Sequence, residues 1–297
     1  MSLSYLRVFR HIDEVARCGS IRKAAEALFL TPSALDRRIQ DLEAELGTAL
    51  FERHARGMRL TSAGEIFLHH ARAQRADFER VRSEIEQLKG LQRGTVSIVA
   101  SQAMAHTLLP AVINRFSQQH PGVVFSVTVA DHAVVIKALR EFQADLGLVY
   151  NMPVAADITP LVQIDQALCA VMAHDHPLAG QATVKMSECL QYPTAMPDSS
   201  LGGRLLLDRF FARSSLKPRV VLESNSFEML RNYVRHGDAI TFQIELGTSM
   251  DTRDGTRARR ITDHGLAHSL VVAQLKGRPL PLSAQRFLES LRAALDG

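Results

Sequence analysis

Cysteine is scarce in this chain of 297 residues: Cys18, Cys169 and Cys189 are odd in number and far apart. With no CxxC pair and no metal-ligand spacing among them, the pattern argues against a disulfide framework and a zinc site. A redox pair of Cys169 and Cys189 is the alternative to plain burial, and the apolar stretch 167–172 around Cys169 favours burial. Long hydrophobic runs are missing too, and none reaches the length of a membrane span. Arg7, Arg10, Asp13 and Glu14 interrupt the basic-then-apolar plan of a secretory leader, so a cytoplasmic protein with no membrane partner is expected. No internal repeat or low-complexity tract is visible.

Enzyme signatures are lacking as well: there is no P-loop, no HExxH and no GxSxG. Ser214-Ser215-Leu216-Lys217 matches S-x-x-K in form, but between Arg213 and Pro218 it has no partner motif. His174 and His176 flank Asp175 and precede Pro177, which a turn explains without a metal. The expectation is a protein that is not an enzyme and holds no cofactor and no metal.

What is present begins with length and charge. A chain of this size, 46% hydrophobic, can bury two domains. A net charge of +4 permits nucleic-acid binding, and its placement is more telling than its size. Arg53, His54, Arg56 and Arg59 share one short loop, and Arg37-Arg38 sit together in a predicted helix. A solvated face would show such clusters equally well.

Residues 3–61 read as short helices with tight turns. Leu6, Phe9, Ile12, Val15 and Ala16 give the first helix one apolar face, which Cys18-Gly19 ends. Ser20 caps a second helix carrying Ile21, Ala24, Ala25 and Leu28, and Phe29-Leu30 turns the chain into Thr31-Pro32, an N-cap followed by proline at the first helical position. In the third helix Leu35, Ile39, Leu42 and Leu46 are spaced to face the core, and Gly47 terminates it. Ser33, Arg37 and Gln40 fall on the opposite face, flanked by Asp36. Arg can bind guanine bidentately, Gln can bind adenine and Ser can reach a base or phosphate, so this face suits major-groove readout. An ordinary amphipathic surface helix has the same stripe. Residues 53–59 then suit a basic hairpin turning at Arg56-Gly57, a wing for the phosphate backbone or minor groove, and Thr61 opens the next helix.

The stretch from Ile12 to Gly64 resembles the DNA-binding domain of LysR-type transcriptional regulators. The matching positions are Gly19-Ser20, Ala24-Ala25, Leu28, Ala34-Leu35, Arg37, Ile39, Leu42-Glu43, Leu46-Gly47, Leu50-Phe51, Arg53 and 60–64. Two positions depart from the family pattern: Pro32 stands where Gln is usual, and Asp36 where Ser is usual. Asp36 can accept from a cytosine amino group, or pair with Arg38 or a neighbouring Arg. The resemblance implies a winged helix-turn-helix over 1–61 with Thr31, Ser33, Asp36, Arg37, Arg38, Gln40, Arg53 and Arg56 at double-stranded DNA.

Residues 62–90 read as one long charged helix. Phe67, Ala71, Gln74, Phe78, Val81, Ile85 and Leu88 alternate by four and three, a heptad seam with Gln74 as a register-fixing polar position. Packing on its own domain is the competing reading. LysR-type proteins dimerise through this helix, which implies a homodimer, a tetramer beyond it, and an inverted-repeat operator. RNA polymerase is a further partner implied by the family.

After a hinge at 90–94 the pattern changes to alternating strands and helices. Strands at 95–100, 123–129 and 146–150, with helices from Ser101 to about Gln119 and over 134–142, predict a mostly parallel sheet. A second lobe over roughly 167–265 contains strands at 192–197, 220–223 and 239–242 and helices at 204–211 and 227–235. A tail helix at 283–295 returns to the first lobe. The stretch Leu161–His176, with His174-Asp175-His176-Pro177-Leu178-Ala179, resembles the family's effector domain, and the likeness covers the remainder, 91–297, which implies a two-lobed, periplasmic-binding-protein-like α/β fold. Ligands in open α/β sheets bind beyond the carboxyl ends of strands, near helix starts. Ser101, Gln102, Asn151, Ser199, Ser200, Ser226 and Gln243 hold such places and suit a small polar or carboxylate effector. The competing functions are a solute-binding protein and a hydrolase using Ser214 and Lys217. The basic helical first domain weighs against the former, and no base or oxyanion constellation supports the latter.

Overall fold

The computed structural model describes residues 3–54, 57–87, 93–106, 108–152, 154–248, 255–266 and 268–296. The side chain of Leu6, the wing residue Arg56, the seam residue Leu88 and the hinge positions 90–92 lie outside the described residues. The chain divides into two units, 1–85 with 141–143, and 86–140 with 144–297.

The first unit holds α1 (Leu3–Cys18), α2 (Ile21–Ala27), α3 (Pro32–Leu46), the antiparallel pair β1 (Phe51–His54) and β2 (Gly57–Leu60), and α4 (Ser62–Gln87). Ile12, Val15, Ala24, Ala25, Leu35, Ile39, Leu42, Leu50, Phe51 and Leu68 form its core. The caps follow the sequence. Ser20 accepts from Lys23 N, Thr31 accepts from Ala34 N with Pro32 next, and Gly47 closes α3 at a φ of 66°. Thr61 Oγ1 accepts from Gly64 N at 3.0 Å. A Cβ on Gly64 would collide with the Leu50 carbonyl oxygen, so only glycine lets α4 start against the wing. Glu43 accepts from the backbone of Leu50 at 2.7 Å and Phe51 at 3.1 Å, which fixes where β1 begins. Asp13 of α1 receives Arg72 and Arg75 of α4, both at 2.8 Å.

Two expectations change here. Leu46 is 44% exposed, because it ends α3 one turn beyond the last core contact. Gly57 is the first residue of β2 and pairs with His54, so it lies in the strand and not in the turn expected at Arg56-Gly57.

The second unit has two mixed sheets. The first is ordered β4-β3-β5-β13-β6, from β3 (Gly94–Ala100), β4 (Val123–Val129), β5 (Leu146–Tyr150), β6 (Ile158–Gln166) and β13 (His268–Leu275). Its helices are α5 (Gln102–His106), α6 (Leu108–Gln119), α7 (His132–Arg140) and α11 (Leu282–Asp296). The second sheet is ordered β10-β9-β11-β7-β12-β8, from β7 (Leu168–Ala173), β8 (Thr183–Val184), β9 (Pro193–Pro197), β10 (Arg219–Ser224), β11 (Ile240–Ile244) and β12 (Thr256–Ile261). It carries α8 (Met186–Cys189), α9 (Gly202–Ala212) and α10 (Phe227–Val234).

Both sheets are mixed: the first has two parallel and two antiparallel pairs, and the second three parallel and two antiparallel. β13 runs antiparallel to β5 and β6, and β7 runs antiparallel to β11 and β12. Gly94 is the first residue of β3 rather than part of a hinge, and it lies against Ser283 of α11, whose hydroxyl donates to Thr95 O. The helix expected from Ser101 to about Gln119 is described as α5 and α6, on either side of position 107, which lies outside the described residues, and that expected at 134–142 is α7, which starts two residues earlier and ends at Arg140. The chain crosses between the lobes at 166–168, where Gln166 Oε1 accepts from Leu246 N at 3.0 Å and Ala167 O from Glu245 N. Among the described residues no helix is long and apolar enough to cross a membrane.

Candidate functional site

Two surfaces collect the residues singled out from sequence. On α3, Ser33, Arg37 and Gln40 are exposed while Leu35 and Ile39 are buried, as the helical period requires. Thr31 Oγ1 lies 3.3 Å from Ser33 Oγ. Asp36 takes two bonds, from Arg53 of the wing at 2.5 Å and from Gln40 Nε2 at 3.1 Å. Its partner is therefore a wing arginine and not Arg38. Arg38 instead donates to Nε2 of the buried His11 at 3.2 Å. Burial and the charges of Arg38, Arg10 and Arg7 hold the His11 imidazole below its ordinary pKa, so it accepts that bond as the neutral ring. The described part of the wing is thus tied to the exposed face of α3.

The second surface is the cleft between the lobes, enclosing about 30 Å³. Ser101 and Gln102 enter from the end of β3, Tyr150 from β5, Ser200, Gly202 and Gly203 from the start of α9, and Gln243 from β11. Gln243 is 1% exposed, and neither its Oε1 nor its Nε2 finds a partner. The Ser101 hydroxyl is also buried and unpaired. α9 starts after Leu201 with no side-chain cap, which leaves the positive end of the helix at the cleft. A Cβ on Gly202 would stand 3.1 Å from Tyr150 O, and glycine permits this close approach between the lobes. Among the described residues no Lys or Arg lines the cavity.

Three of the expected cleft residues are elsewhere. Asn151, at a φ of 56°, lines a larger groove of about 290 Å³ with Gln163 and Ser269. Ser226 accepts from Met229 N as the cap of α10, and Ser199 is exposed outside the lining. Gln102 lines the cleft, but its amide is occupied, bridging Asn225 O and Phe227 N at 3.1 and 2.6 Å. Ser200 donates to Asp198. The larger groove carries no buried unpaired polar atom among the described residues, so the smaller cleft is the chemically prepared one. Sequence reasoning missed the Gly202-Gly203 start of α9, whose signal was a glycine pair directly after Ser199-Ser200-Leu201.

Cys169 and Cys189 are buried, and burial pushes both thiols up to about 12. They stay protonated at neutral pH, which removes the thiolate a redox pair requires. His176 is buried in a turn, its Nδ1 accepting from Leu178 N at 3.1 Å, while its neighbour His174 is exposed.

Known proteins share this architecture. Residues 6–65 match the model of the bacterial regulatory helix-turn-helix protein, lysR family, and residues 89–296 match the LysR substrate binding domain. The HTH-type transcriptional activator CmpR of Synechocystis sp. is 26% identical over 294 residues, 99% of this chain and 96% of that protein. A full-length OxyR variant from Pseudomonas aeruginosa superposes with a TM-score of 0.72 at 19% identity, covering 99% of this chain and 94% of that one. Full-length CbnR in complex with its target DNA gives 0.67 at 19% identity, covering 99% and 100%. The solute-binding reading fails because the helix-turn-helix family accounts for the first unit. The chain belongs to the LysR family: it is a DNA-binding transcriptional regulator with an effector-binding domain.

Proposed function

We propose that a small polar or carboxylate metabolite, held in the cleft between the lobes, controls how a dimer of this chain reads an inverted-repeat operator. Residues 1–61 read double-stranded DNA, 62–90 pair two chains, and 91–297, with a second lobe over about 167–265, take the effector. Ser33, Arg37 and Gln40 face base edges, Thr31 and Arg38 flank them, and Asp36 orients Arg53 toward the backbone in place of reading cytosine. Phe78, Val81 and Ile85 of α4 are each more than two-fifths exposed in the single chain, an apolar stripe suited to a second copy. CbnR, similar in fold, is described in complex with its target DNA. The regulator acts in the cytoplasm, engages RNA polymerase and assembles to a tetramer; no catalytic step is assigned to it.

The unpaired Gln243 carries the effector reading. A buried amide without partners costs about 1–3 kcal/mol, and a ligand that bonds it recovers that loss. A cavity of about 30 Å³ holds only water, so the lobes part to admit a metabolite, and their reclosure is the signal. Calorimetric screening of small carboxylates, amides and amines, paired with footprints on the gene's own upstream region, tests this. A carboxylate should bind and shift the footprint. Affinity confined to apolar or cationic compounds would remove the cleft assignment, and a footprint unaltered by every bound compound would remove the sensor. Ile85→Asp should convert the dimer to a monomer in sedimentation and abolish the two-half-site footprint. A persisting dimer would place the interface off α4.

A further inference from the structure

α1, α2 and α3 end alike and with different residues. Each is followed by a left-handed residue: Gly19 at φ 60° after α1, Gly47 at φ 66° after α3, but Phe29 at φ 56° after α2. Around Phe29 the hydrogen bonds are those of a Schellman closure, Leu30 N to Ala25 O at 2.9 Å and Phe29 N to Glu26 O at 3.2 Å. Glycine adopts this conformation freely, whereas a residue with a Cβ is strained in it. Phe29 is also 95% exposed, so its ring gains nothing from the core. Phe142 shares the left-handed backbone but is half-buried. A strained backbone and a ring fully in water are two losses at one residue, and strain of this kind gathers where a partner is gripped.

The place says which partner. Phe29 sits two residues before Thr31, the N-cap of α3, and the first turns of a recognition helix are the part that meets base edges. The exposed ring thus stands just ahead of the first turn of α3, which carries the exposed Ser33. We infer that Phe29 is a base-reading residue, making an apolar contact with a thymine C5-methyl group in the major groove beside the start of α3. Phenylalanine is one of the side chains suited to that methyl, the only apolar feature of the major-groove edge. The inference rests on α3 being the reading helix and adds a position that polar pairing alone does not specify.

The test uses the full chain and a duplex that it selects from a randomised pool. Each thymine of the half-site is replaced singly by deoxyuridine, which deletes the methyl and nothing else. For the wild-type chain, one replacement near the start of α3 should weaken binding about three- to fivefold, the value of one buried methyl. In Phe29→Gly the same replacement should have no effect, affinity for the parent duplex should fall by a similar factor, and the melting temperature should rise as the strain is relieved. A ring that served only the fold would lower the melting temperature and leave the deoxyuridine response intact. Indifference of the wild-type chain to every deoxyuridine, a selected site without thymine there, or undiminished binding by Phe29→Gly would each overturn the proposal. Arg37→Ala in parallel separates the two failures. It should weaken binding about 10- to 100-fold and relax sequence choice. If it does neither, α3 is not the reader; if it does both while Phe29→Gly binds normally, only the thymine contact is lost.

Discussion

The DNA-binding unit and the proposed effector cleft place their candidate residues in opposite ways. In the first, the proposed readers run from Phe29 to Arg53, on one turn, one helix and one strand, and the local caps Thr31 and Thr61 fix their positions. In the cleft, Ser101, Tyr150, Gly202 and Gln243 come from four separate strand ends and helix starts, joined only when two sheets fold. The unfavourable contacts differ accordingly. The reading unit carries its strain at an exposed ring, Phe29, and the cleft carries its unpaired groups inside, at Gln243 and Ser101. On the proposed assignments the DNA surface is ready before its partner arrives, whereas the cleft is left incomplete so that a ligand finishes it.

The largest expected effect tests whether the two regions are separate in stability. Leu35 is fully buried in the small core of the reading unit. Leu35→Ala should cost about 2–5 kcal/mol, from lost transfer energy plus the cavity left behind. Scanning calorimetry should show one transition moving down while the other stays. A single joint transition shifting as a whole would mean that the units melt together, and the comparison would fail at that level.

A smaller effect has the opposite sign. Gln243→Leu replaces an unpaired buried amide by an apolar group of similar size, and should stabilise the free protein by about 1–3 kcal/mol while abolishing any calorimetric response to the effector. In the reading unit the equivalent polar-to-apolar exchange, Arg37→Leu, should leave stability almost unchanged, because Arg37 is exposed. If Gln243→Leu destabilises, the amide has a structural role and is not kept unpaired for a ligand.

How legible each region was follows from the same contrast. Helical period alone separated Leu35 and Ile39 from Ser33, Arg37 and Gln40, since all depend on one local repeat. It misplaced Leu46 because the period continues past the end of the core. Asp36 was open between a base and several arginines, and its bond to Arg53, seventeen residues away, exists only once the hairpin folds back. In the second unit, the strand 123–129 was evident as a β-branched run and 146–150 as a short apolar one. Positions just after strand ends then led to Ser101 and Gln243, but the same logic also gave Asn151, Ser199 and Ser226. A left-handed backbone at Asn151, a capping bond at Ser226 and exposure at Ser199 decide those three, and none of these is periodic. The antiparallel strands β6 and β13 pair across more than a hundred residues, beyond any local signal.

The smallest expected effect is in acid, and it sharpens the comparison by sign. His11 in the reading unit and His176 in the second lobe are both held below the ordinary histidine pKa, chiefly by burial. The unfolded chain therefore takes up a proton before the native one does, so each histidine costs stability as pH falls through about 6.5. In the second unit a carboxylate opposes this. Burial raises Asp145 above its usual range, so the native state binds that proton first, and stability is gained as pH falls toward the carboxylate region. In the reading unit Glu14 is lowered by its bond to Arg17, so it adds to the loss at still lower pH. Between pH ~7.5 and ~5 the reading unit should lose more stability than the cleft unit, measured by urea unfolding at several pH values. Added salt should reduce the loss in the reading unit, since part of the His11 shift comes from Arg38, Arg10 and Arg7, and His11→Gln should remove it. Equal losses in the two units, or a loss indifferent to His11→Gln, would show that the buried histidines do not set their acid responses.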